Sequence, residues 1–296
     1  MPELLTTDEA ATYLRLSERK LYELVAHAAV PCSKVTGRWL FPKAALDRWV
    51  SAGLLTAAPL AQPAPPIIGG SHDPLLEWAL RESGSGLATL PEGSEAGLRR
   101  LARGDIIAAA IHLHRIDGGD NDDGANADAV ANAPGLHDVV VIAFARREQG
   151  LLVAPGNPLG LSDIASVAKT RARMALRPNG AGAQLLLLAL LARAGLANEA
   201  LNAIKPPCPT GPDIAQAVRT GRADCGIATR AVAVSARLDF IPLTWERFDL
   251  ALRQRDYFMP GPQALFDFLR KPEFAERAAE LRGYDTGETG QVRHFN

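Results

Sequence analysis

The sequence predicts an α/β chain with two domains, an N-terminal winged helix-turn-helix and a C-terminal two-lobed domain. Three features of its 296 residues support this prediction. Residues 1–50 show the signals of two helices, a strand pair and a third helix, residues 51–66 are rich in Ala and Pro and uncharged, and residues 67–296 alternate apolar strands with amphipathic helices. We therefore assign residues 51–66 as a linker between a domain at 1–50 and a domain at 67–296.

The first two helices are predicted by their start signals. Thr6 and Glu9 have the spacing of a capping pair, and an apolar face follows them. Ser17 can cap a second helix over residues 18–26, in which leucine and valine residues share one face. The side chains left facing solvent on that helix are Arg19, Lys20, Tyr22 and Glu23.

A wing and a closing helix complete the small domain. Residues 33–41 alternate in period two around a Thr-Gly turn, which is typical of a two-stranded wing. Lys34 and Arg38 flank the tip of this wing, where DNA phosphates would lie. A last helix over residues 42–50 presents Ala45, Leu46 and Trp49 to the core.

This pattern resembles a known DNA-binding family. The resemblance is to the winged helix-turn-helix of the excisionase and MerR-like family, over the run LLTTDEAATYLRLSERKLYELVAHAAVPCSKVTGRWLFPKAALDRWV. In that family the second helix enters the major groove and the wing contacts the DNA backbone. The resemblance implies DNA contacts by position from Ser17, Arg19, Lys20, Tyr22, Lys34 and Arg38. For Trp39 we prefer a core position.

Charge and cysteine content limit the function classes. The formal net charge of -1 gives no overall bias toward polyanions, and basic and acidic residues nearly balance within residues 1–50. One copy should therefore bind DNA weakly, which predicts a homodimer on a paired site. Cys32, Cys208 and Cys225 lack C-x-x-C spacing, so neither a disulfide framework nor a zinc site is indicated.

The start of the sequence shows no signal-peptide pattern. The longest apolar run, residues 185–192, is too short to span a bilayer. We therefore expect a cytoplasmic protein with no membrane partner.

The second domain begins as a parallel α/β pattern. Predicted strands at residues 66–69, 86–90 and 106–113 alternate with predicted helices at residues 72–83 and 95–103. Strands that follow helices in this way pair in parallel and place their carboxyl ends at one edge.

Later strands predict that the domain has two lobes. Residues 138–145 and 150–154 are two predicted strands joined by residues 146–149, and residues 249–252 are a third. The chain would pass between two lobes along the strands near its middle and return along the strand at residues 249–252. Two lobes joined by hinge strands in this way would have a cleft between them. The predicted bounds are about 67–145 and 250–296 for lobe 1, and about 146–249 for lobe 2.

Three strand-to-helix turns carry glycine or hydroxyl residues. They are residues 69–71, 92–94 and 180–182, the last before a long predicted helix over residues 184–194. Each offers free amides at the positive end of a helix dipole, which is a ready anion site. One such turn alone would be read as a simple N-cap, but three in one α/β domain predict a shared cleft.

A second resemblance covers most of the chain. It rests on the segments GGSHDPLLEWAL, PEGSEAGLRRLARGDIIAAAIHLHRID, RREQGLLVAPGNPLGLSDI, AVRTGRADCGIATRAVA and LDFIPLTWERFDLAL. They resemble the periplasmic-binding-protein-like domain that is fused to helix-turn-helix regulators and to molybdopterin biosynthesis proteins, a domain related to tungstate- and molybdate-binding proteins. The resemblance implies a type II periplasmic-binding-protein-like fold and an oxyanion or molybdenum-cofactor-related ligand. It implies a cleft lined by Ser71, Ser94, His112, Arg177, Gly180, Ala181 and Gly182.

The chain departs from that family in two segments. Ala181, Ala183 and Gln184 stand where the family commonly has Ser, Thr and Arg, which removes two hydroxyls and one cation. Residues 118–132 stand where the family has a Tyr-Asn motif, of which Asn126 remains. A mobile surface loop is predicted for the acidic stretch at Asp117, Asp120, Asp122 and Asp123, because it lacks the ordered ligand spacing and the terminal Glu of a calcium loop.

His112 and His114 have the spacing of two metal ligands on one strand face. A neutral histidine that is satisfied within the lobe is the preferred interpretation for them. We also find no nucleophile with a base and no carboxylate pair, so the sequence predicts no catalytic residues and no metal site.

The sequence thus predicts a transcription regulator that is not an enzyme. Its expected partners are double-stranded DNA, a second copy of the chain, and a small ligand, with molybdate or tungstate as the expected bound effector and no other cofactor. Two alternatives stay open, namely a regulator with an organic ligand or none, and a protein of the molybdenum-cofactor pathway.

Overall fold

A computed structural model describes residues 4–27, 29–34, 37–52, 63–115 and 124–295. The chain divides into two compact units, Met1–Pro63 and Ala64–Asn296, and each is described by itself. Among the described residues, no helix combines the length and the apolar character needed to cross a bilayer.

The N-terminal unit starts with β1 (Leu4–Leu5) and α1 (Thr7–Leu14). The predicted capping pair is confirmed, because Thr6 Oγ1 accepts from the Glu9 amide and the Glu9 carboxylate accepts from the Thr6 amide at 2.8 Å. This exchange satisfies two amides that a helix start leaves without partners.

The second helix is confirmed with its predicted bounds. It is α2 (Glu18–Ala26), and the Ser17 hydroxyl accepts from the Lys20 amide at 3.2 Å. Its Leu21 is fully buried in the core of this unit.

The third helix starts one residue later than predicted. Pro42 belongs to β2 (Phe41–Pro42), which pairs antiparallel with β1, and α3 (Lys43–Ala52) follows. Ser33 and Leu40 exchange backbone hydrogen bonds of 2.9 and 2.8 Å, as paired wing residues do. Residues 35 and 36 of the predicted turn lie outside the described residues.

The second unit opens with the predicted alternation of strands and helices. Its first elements are β3 (Ile67–Gly70), α4 (Pro74–Glu82), β4 (Ala88–Pro91), α5 (Ser94–Arg103) and β5 (Ala108–Ile111). β3 pairs in parallel with both β4 and β5.

A helix follows the acidic stretch for which a loop is predicted. Residues 125–132 form α6 (Ala125–Asn132), and Val130 is fully buried in the core. The Asn126 side chain fixes this helix from inside, because it accepts from the Leu113 amide at 2.8 Å and donates to Asp249 at 2.7 Å. Residues 118–123 lie outside the described residues.

The two strands predicted near the middle of the chain are one strand. β6 (Val139–Val153) is continuous over 15 residues, so residues 146–149 are not a connection between strands. Arg147, Glu148 and Gln149 are buried within it, and each has a hydrogen-bond partner in another element, Glu246 for Arg147 and Gln149 and Arg230 for Glu148. Local sequence does not show those partners, which explains the error.

The next elements build the second lobe. They are α7 (Ile164–Thr170), β7 (Arg173–Ala175), α8 (Gly182–Arg193), β8 (Asn202–Ala203), α9 (Gly211–Arg219), β9 (Cys225–Thr229) and α10 (Arg230–Ala236). Leu151, Met174, Leu187 and Ile227 pack together in one of its buried clusters. Each such full burial contributes about 1.5–3 kcal/mol to stability.

A second long strand then returns to the first lobe. It is β10 (Asp239–Arg253), and it pairs antiparallel with β6 along its whole length. Its first residues lie in the second lobe, and Asp249–Leu252 pair with β5 in the first lobe. The two strands therefore connect the lobes as hinge strands. The chain ends with α11 (Gln254–Tyr257), α12 (Pro260–Leu269), α13 (Pro272–Leu281), β11 (Tyr284–Asp285) and β12 (Val292–Phe295).

The sheet is mixed and not parallel throughout. Its order is β4-β3-β5-β10-β6-β9-β7-β8, and β11 and β12 also pair with β6. The parallel prediction holds for the outer strands of each lobe, whereas the hinge strands run antiparallel.

Candidate functional site

A small cavity lies between the two lobes of the second unit. Its volume is about 20 Å³, and one water molecule needs roughly 10–15 Å³ on this measure. The polar residues that line it are Ser71, His72, His112, Arg147, Gln149, Arg177 and Thr229. Ser71 follows β3 of the first lobe, whereas Thr229 ends β9 of the second lobe, so both lobes contribute polar groups.

Three polar atoms of these lining residues are buried and have no hydrogen-bond partner among the described residues. They are Arg177 Nε, Thr229 Oγ1 and Gln149 Oε1. A buried polar atom without a partner costs about 1–3 kcal/mol. These groups are therefore available to a ligand that enters the cavity.

Arg177 carries a positive charge that its surroundings only partly balance. One guanidinium nitrogen donates to the Pro209 carbonyl at 2.6 Å, and the Arg177 amide donates to the Gln184 side chain at 3.2 Å. Burial, and then the positive charge of Arg147, lower the pKa of Arg177 to about 10. An anion beside Arg177 would offset the effects of burial and of Arg147, because it favours the charged guanidinium.

Arg147, by contrast, is fully paired. Its Nε lies 2.6 Å from Glu246 Oε1, and a terminal nitrogen lies 2.8 Å from Asp73 Oδ2. Its guanidinium also lies over the Phe248 ring, 4.1 Å from the centroid. The Tyr284 hydroxyl donates to Asp73 at 2.9 Å, which completes a buried network at the hinge.

His112 is neutral near pH 7. Burial lowers the pKa of His112 to about 4, and Glu246 opposes this shift only in part. For Glu246, burial raises the pKa, but its interactions with His112 and Arg147 outweigh burial and hold it well below the usual range. An uncharged imidazole therefore lies beside an ionised carboxylate.

The three predicted turns do meet. Ser71 Oγ lies 2.8 Å from Ser94 Oγ, and the Glu95 amide donates to the Gly180 carbonyl at 3.3 Å. A side-chain carbon on Gly182 would lie 2.1 Å from the His112 carbonyl oxygen, so only glycine allows this approach.

The predicted ligand residues divide into two groups. Ser71, His112 and Arg177 line the cavity. The others lie behind it, because Ser94 is fully buried with its hydroxyl bonded to the His112 backbone, and Gly180, Ala181 and Gly182 pack against the start of α5 or against His112.

Sequence reasoning missed Arg147, Gln149 and Thr229 as lining residues. A signal was present for the first two, because their period-two spacing within an apolar strand places them on one face. Thr229 carries no comparable signal, since a threonine before a helix is read as an ordinary N-cap.

A second candidate surface lies on the N-terminal unit. Arg19, Lys20 and Tyr22 project from α2, with Arg19 92% exposed, and Lys34 and Arg38 are exposed near the wing. Arg19 and Lys20 pair with Glu23 at 3.6 and 3.1 Å. Such exposed pairs contribute at most about 1 kcal/mol, so phosphates can replace Glu23.

Two other residues of this surface have structural roles. Ser17 caps α2, and Trp39 packs half-buried against the core, as preferred from the sequence. The Lys34 ammonium lies 5.1 Å from the Trp39 ring centroid, which holds it at the wing.

Family comparisons agree with this architecture. Residues 77–270 match the model of the PBP superfamily domain, and residues 4–53 match that of a helix-turn-helix domain. The Bacillus subtilis (strain 168) protein YvgK is 22% identical over 303 residues, which cover 97% of this chain and 96% of that protein.

Solved structures show the same fold. A tungstate ABC transporter structure from Geobacter sulfurreducens is 14% identical with a TM-score of 0.51, over 72% of this chain and 97% of that chain. A structure described as a phosphate ABC transporter substrate-binding protein with bound phosphate, from Clostridium perfringens, is 12% identical with a TM-score of 0.53, over 77% of this chain and 99% of that chain. At these identities the likeness establishes the fold alone.

Proposed function

The chain belongs to the PBP superfamily, and from this premise we propose that it is a DNA-binding transcription regulator that senses an oxyanion such as molybdate or tungstate. The helix-turn-helix domain would read an operator, and the cavity between the lobes would hold the effector. The proposal assigns no catalytic step to the chain.

One observation supports the anion above all others. Arg177 Nε and Thr229 Oγ1 are buried donors without partners among the described residues, and they belong to the lining of one cavity. An anion would accept from both, and a hydrogen bond to a charged group is worth about 1.5–3 kcal/mol.

The cavity is small in this arrangement of the lobes. At about 20 Å³ it holds about one water, so the lobes must separate to admit a tetrahedral oxyanion of five atoms. The tungstate transporter and the phosphate-bound protein that share the fold are both named for tetrahedral oxyanions, which supports the same class.

We expect the oxyanion to bind weakly. Ala181, Ala183 and Gln184 supply neither the hydroxyls nor the second arginine of related chains, and Gln184 instead accepts from the Arg177 amide. Molybdate and tungstate should therefore bind orders of magnitude more weakly than they bind relatives that have all three groups.

Arg177→Gln should weaken oxyanion binding about 10- to 150-fold, because it removes the charged donor of the cavity. Thr229→Val should weaken binding several-fold. Calorimetry with molybdate, tungstate, sulfate and phosphate, in buffer with a chelator, measures both effects. Arg237→Gln, at an exposed arginine that ends α10, is the matched control and should bind as the native chain does.

Two results would contradict this account. Nanomolar tungstate binding would show that the three substitutions do not matter. If none of the four anions binds, an organic effector is favoured, and one structural feature supports that second candidate. A larger pocket of about 360 Å³ shares His72 and Val232 with the cavity and could hold an organic group.

Arg19→Ala, Lys20→Ala and Arg38→Ala should each weaken operator binding, and the two α2 variants should do so by roughly 1–3 kcal/mol where the side chain contacts a base. Arg38→Ala should do so for all sequences, because a wing arginine contacts phosphate, whereas the α2 variants should also lose sequence preference. Gel-shift titrations across operator variants measure this, with Arg270→Ala in the second unit as the control. If all three variants bind the operator as tightly as the native chain does, this surface is not the DNA-binding surface.

We further propose that the regulator binds DNA as a homodimer. The near balance of charge within residues 1–50 leaves one copy with few phosphate contacts, so a monomer would bind near the non-specific level. Light scattering of the operator complex tests this, and a tight complex with one copy would contradict it.

A further inference from the structure

His112 and His114 follow β5, and Glu246 lies 132 residues beyond His114 in β10. His112 Nδ1, His114 Nε2 and a Glu246 carboxylate oxygen all lie within 4.8 Å of one another. The three side chains are buried, at 6%, 7% and 2% exposed. The sequence alone showed only the two histidines, and the fold adds a carboxylate.

We propose that His112, His114 and Glu246 form a binding site for a divalent transition-metal ion of the zinc class. Two imidazole nitrogens and one carboxylate oxygen are a ligand set that such ions prefer over calcium or magnesium, which take oxygen ligands. Three protein ligands also leave a coordination position for water.

The distances allow this set to close on an ion. Glu246 Oε2 lies 3.0 Å from His112 Nδ1 and 2.8 Å from His114 Nε2. Tetrahedral zinc, with bonds of about 2.0–2.2 Å, places neighbouring ligand atoms roughly 3.3 Å apart. Small side-chain rotations, together with transfer of each histidine's proton to its other ring nitrogen or to solvent, therefore convert the hydrogen-bonded triad into a coordination shell.

The second oxygen of Glu246 is already held in place. Oε1 accepts from Arg147 Nε at 2.6 Å and from Gln149 Nε2 at 2.8 Å, which turns Oε2 toward the two histidines. Outer partners of this kind orient metal-ligating carboxylates in many proteins.

The charge of the surroundings also favours a cation. Among the paired groups of the buried network, Asp73 and Glu246 carry two negative charges against the single positive charge of Arg147. A dication would offset the remaining negative charge.

This site goes beyond the proposed anion sensor and can fail independently of it. Zinc is titrated into chelator-treated full-length protein without any of the four anions or DNA, and the anion titrations above are done with a chelator present. Failure of one experiment therefore leaves the other unaffected.

The test compares the native chain with His114→Gln and with His137→Gln, an exposed histidine outside the triad. Zinc calorimetry should show one site per chain, which His114→Gln weakens about tenfold or more and His137→Gln leaves unchanged. Cobalt(II) should give an absorption spectrum of nitrogen and oxygen ligation without a thiolate band, which separates this site from the cysteines.

The melting temperature of each variant without metal confirms that it is folded, and added zinc should raise that temperature in the native chain but not in His114→Gln. The proposal is overturned if the native chain binds no stoichiometric zinc. It is equally overturned if His114→Gln binds zinc as tightly as the native chain.

Discussion

Arg147→Met is expected to lower the free energy of unfolding by about 3–5 kcal/mol at pH 7. The side chain of Arg147 is 1% exposed and lies between Asp73 and Glu246, at 2.8 and 2.6 Å. Removing it leaves two buried carboxylates without their cation, and an uncompensated buried charge is among the costliest changes in a protein. Urea denaturation followed by circular dichroism measures the loss.

A matched control separates this effect from the simple loss of an arginine. Arg99 is 62% exposed and lies 3.8 Å from Glu95. Arg99→Met should therefore change the free energy of unfolding by no more than about 0.5 kcal/mol. A loss below about 1 kcal/mol in Arg147→Met would show that water reaches the network.

The neutral triple variant Asp73→Asn, Arg147→Met, Glu246→Gln adds a second check. It removes all three charges together and should recover most of the lost stability, because the desolvation cost disappears with the attraction. If the triple variant is as unstable as Arg147→Met, packing and not charge explains the loss.

Local signals in the sequence predicted local structure well. The Thr6 and Glu9 pair and the Ser17 cap place α1 and α2 correctly, because the atoms that start a helix lie within three residues of one another. The turn glycines likewise predicted a shared cleft, and the Glu95 amide at the start of α5 in the first lobe donates to the Gly180 carbonyl in the second.

The errors arise where distant residues decide the structure. Arg147 and Gln149 suggested a polar connection, yet they lie within β6 because Glu246, nearly a hundred residues later, accepts hydrogen bonds from both. Asn126 is identified from the sequence only as what remains of a Tyr-Asn motif, yet its amide donates to Asp249 in β10. A single sequence shows neither pairing, so the hinge network and the Glu246 part of the metal site could not be predicted.

Asp249→Asn is expected to stabilise the protein, and more so at higher pH. Asp249 is 2% exposed, and burial raises its pKa from the ordinary 3.8 to about 6, although the hydrogen bond from Asn126 opposes this. The folded state therefore keeps a proton that the unfolded chain releases between about pH 4 and pH 6. Stability from this group is full below pH 4, falls as the pH rises through 6, and stays low above it.

Asparagine avoids that loss, because it is uncharged and its Oδ1 can still accept from Asn126. At about 1.4 kcal/mol per pH unit, the advantage of the variant should reach about 3 kcal/mol at pH 8 and about half of that at pH 5. Thermal denaturation at the two pH values measures the difference, with Asp267→Asn, at a carboxylate 67% exposed, as a control that should show little change at either. An advantage that does not grow between pH 5 and pH 8 would contradict the assignment, because only a buried carboxyl whose pKa is raised by folding makes the two proteins diverge with pH.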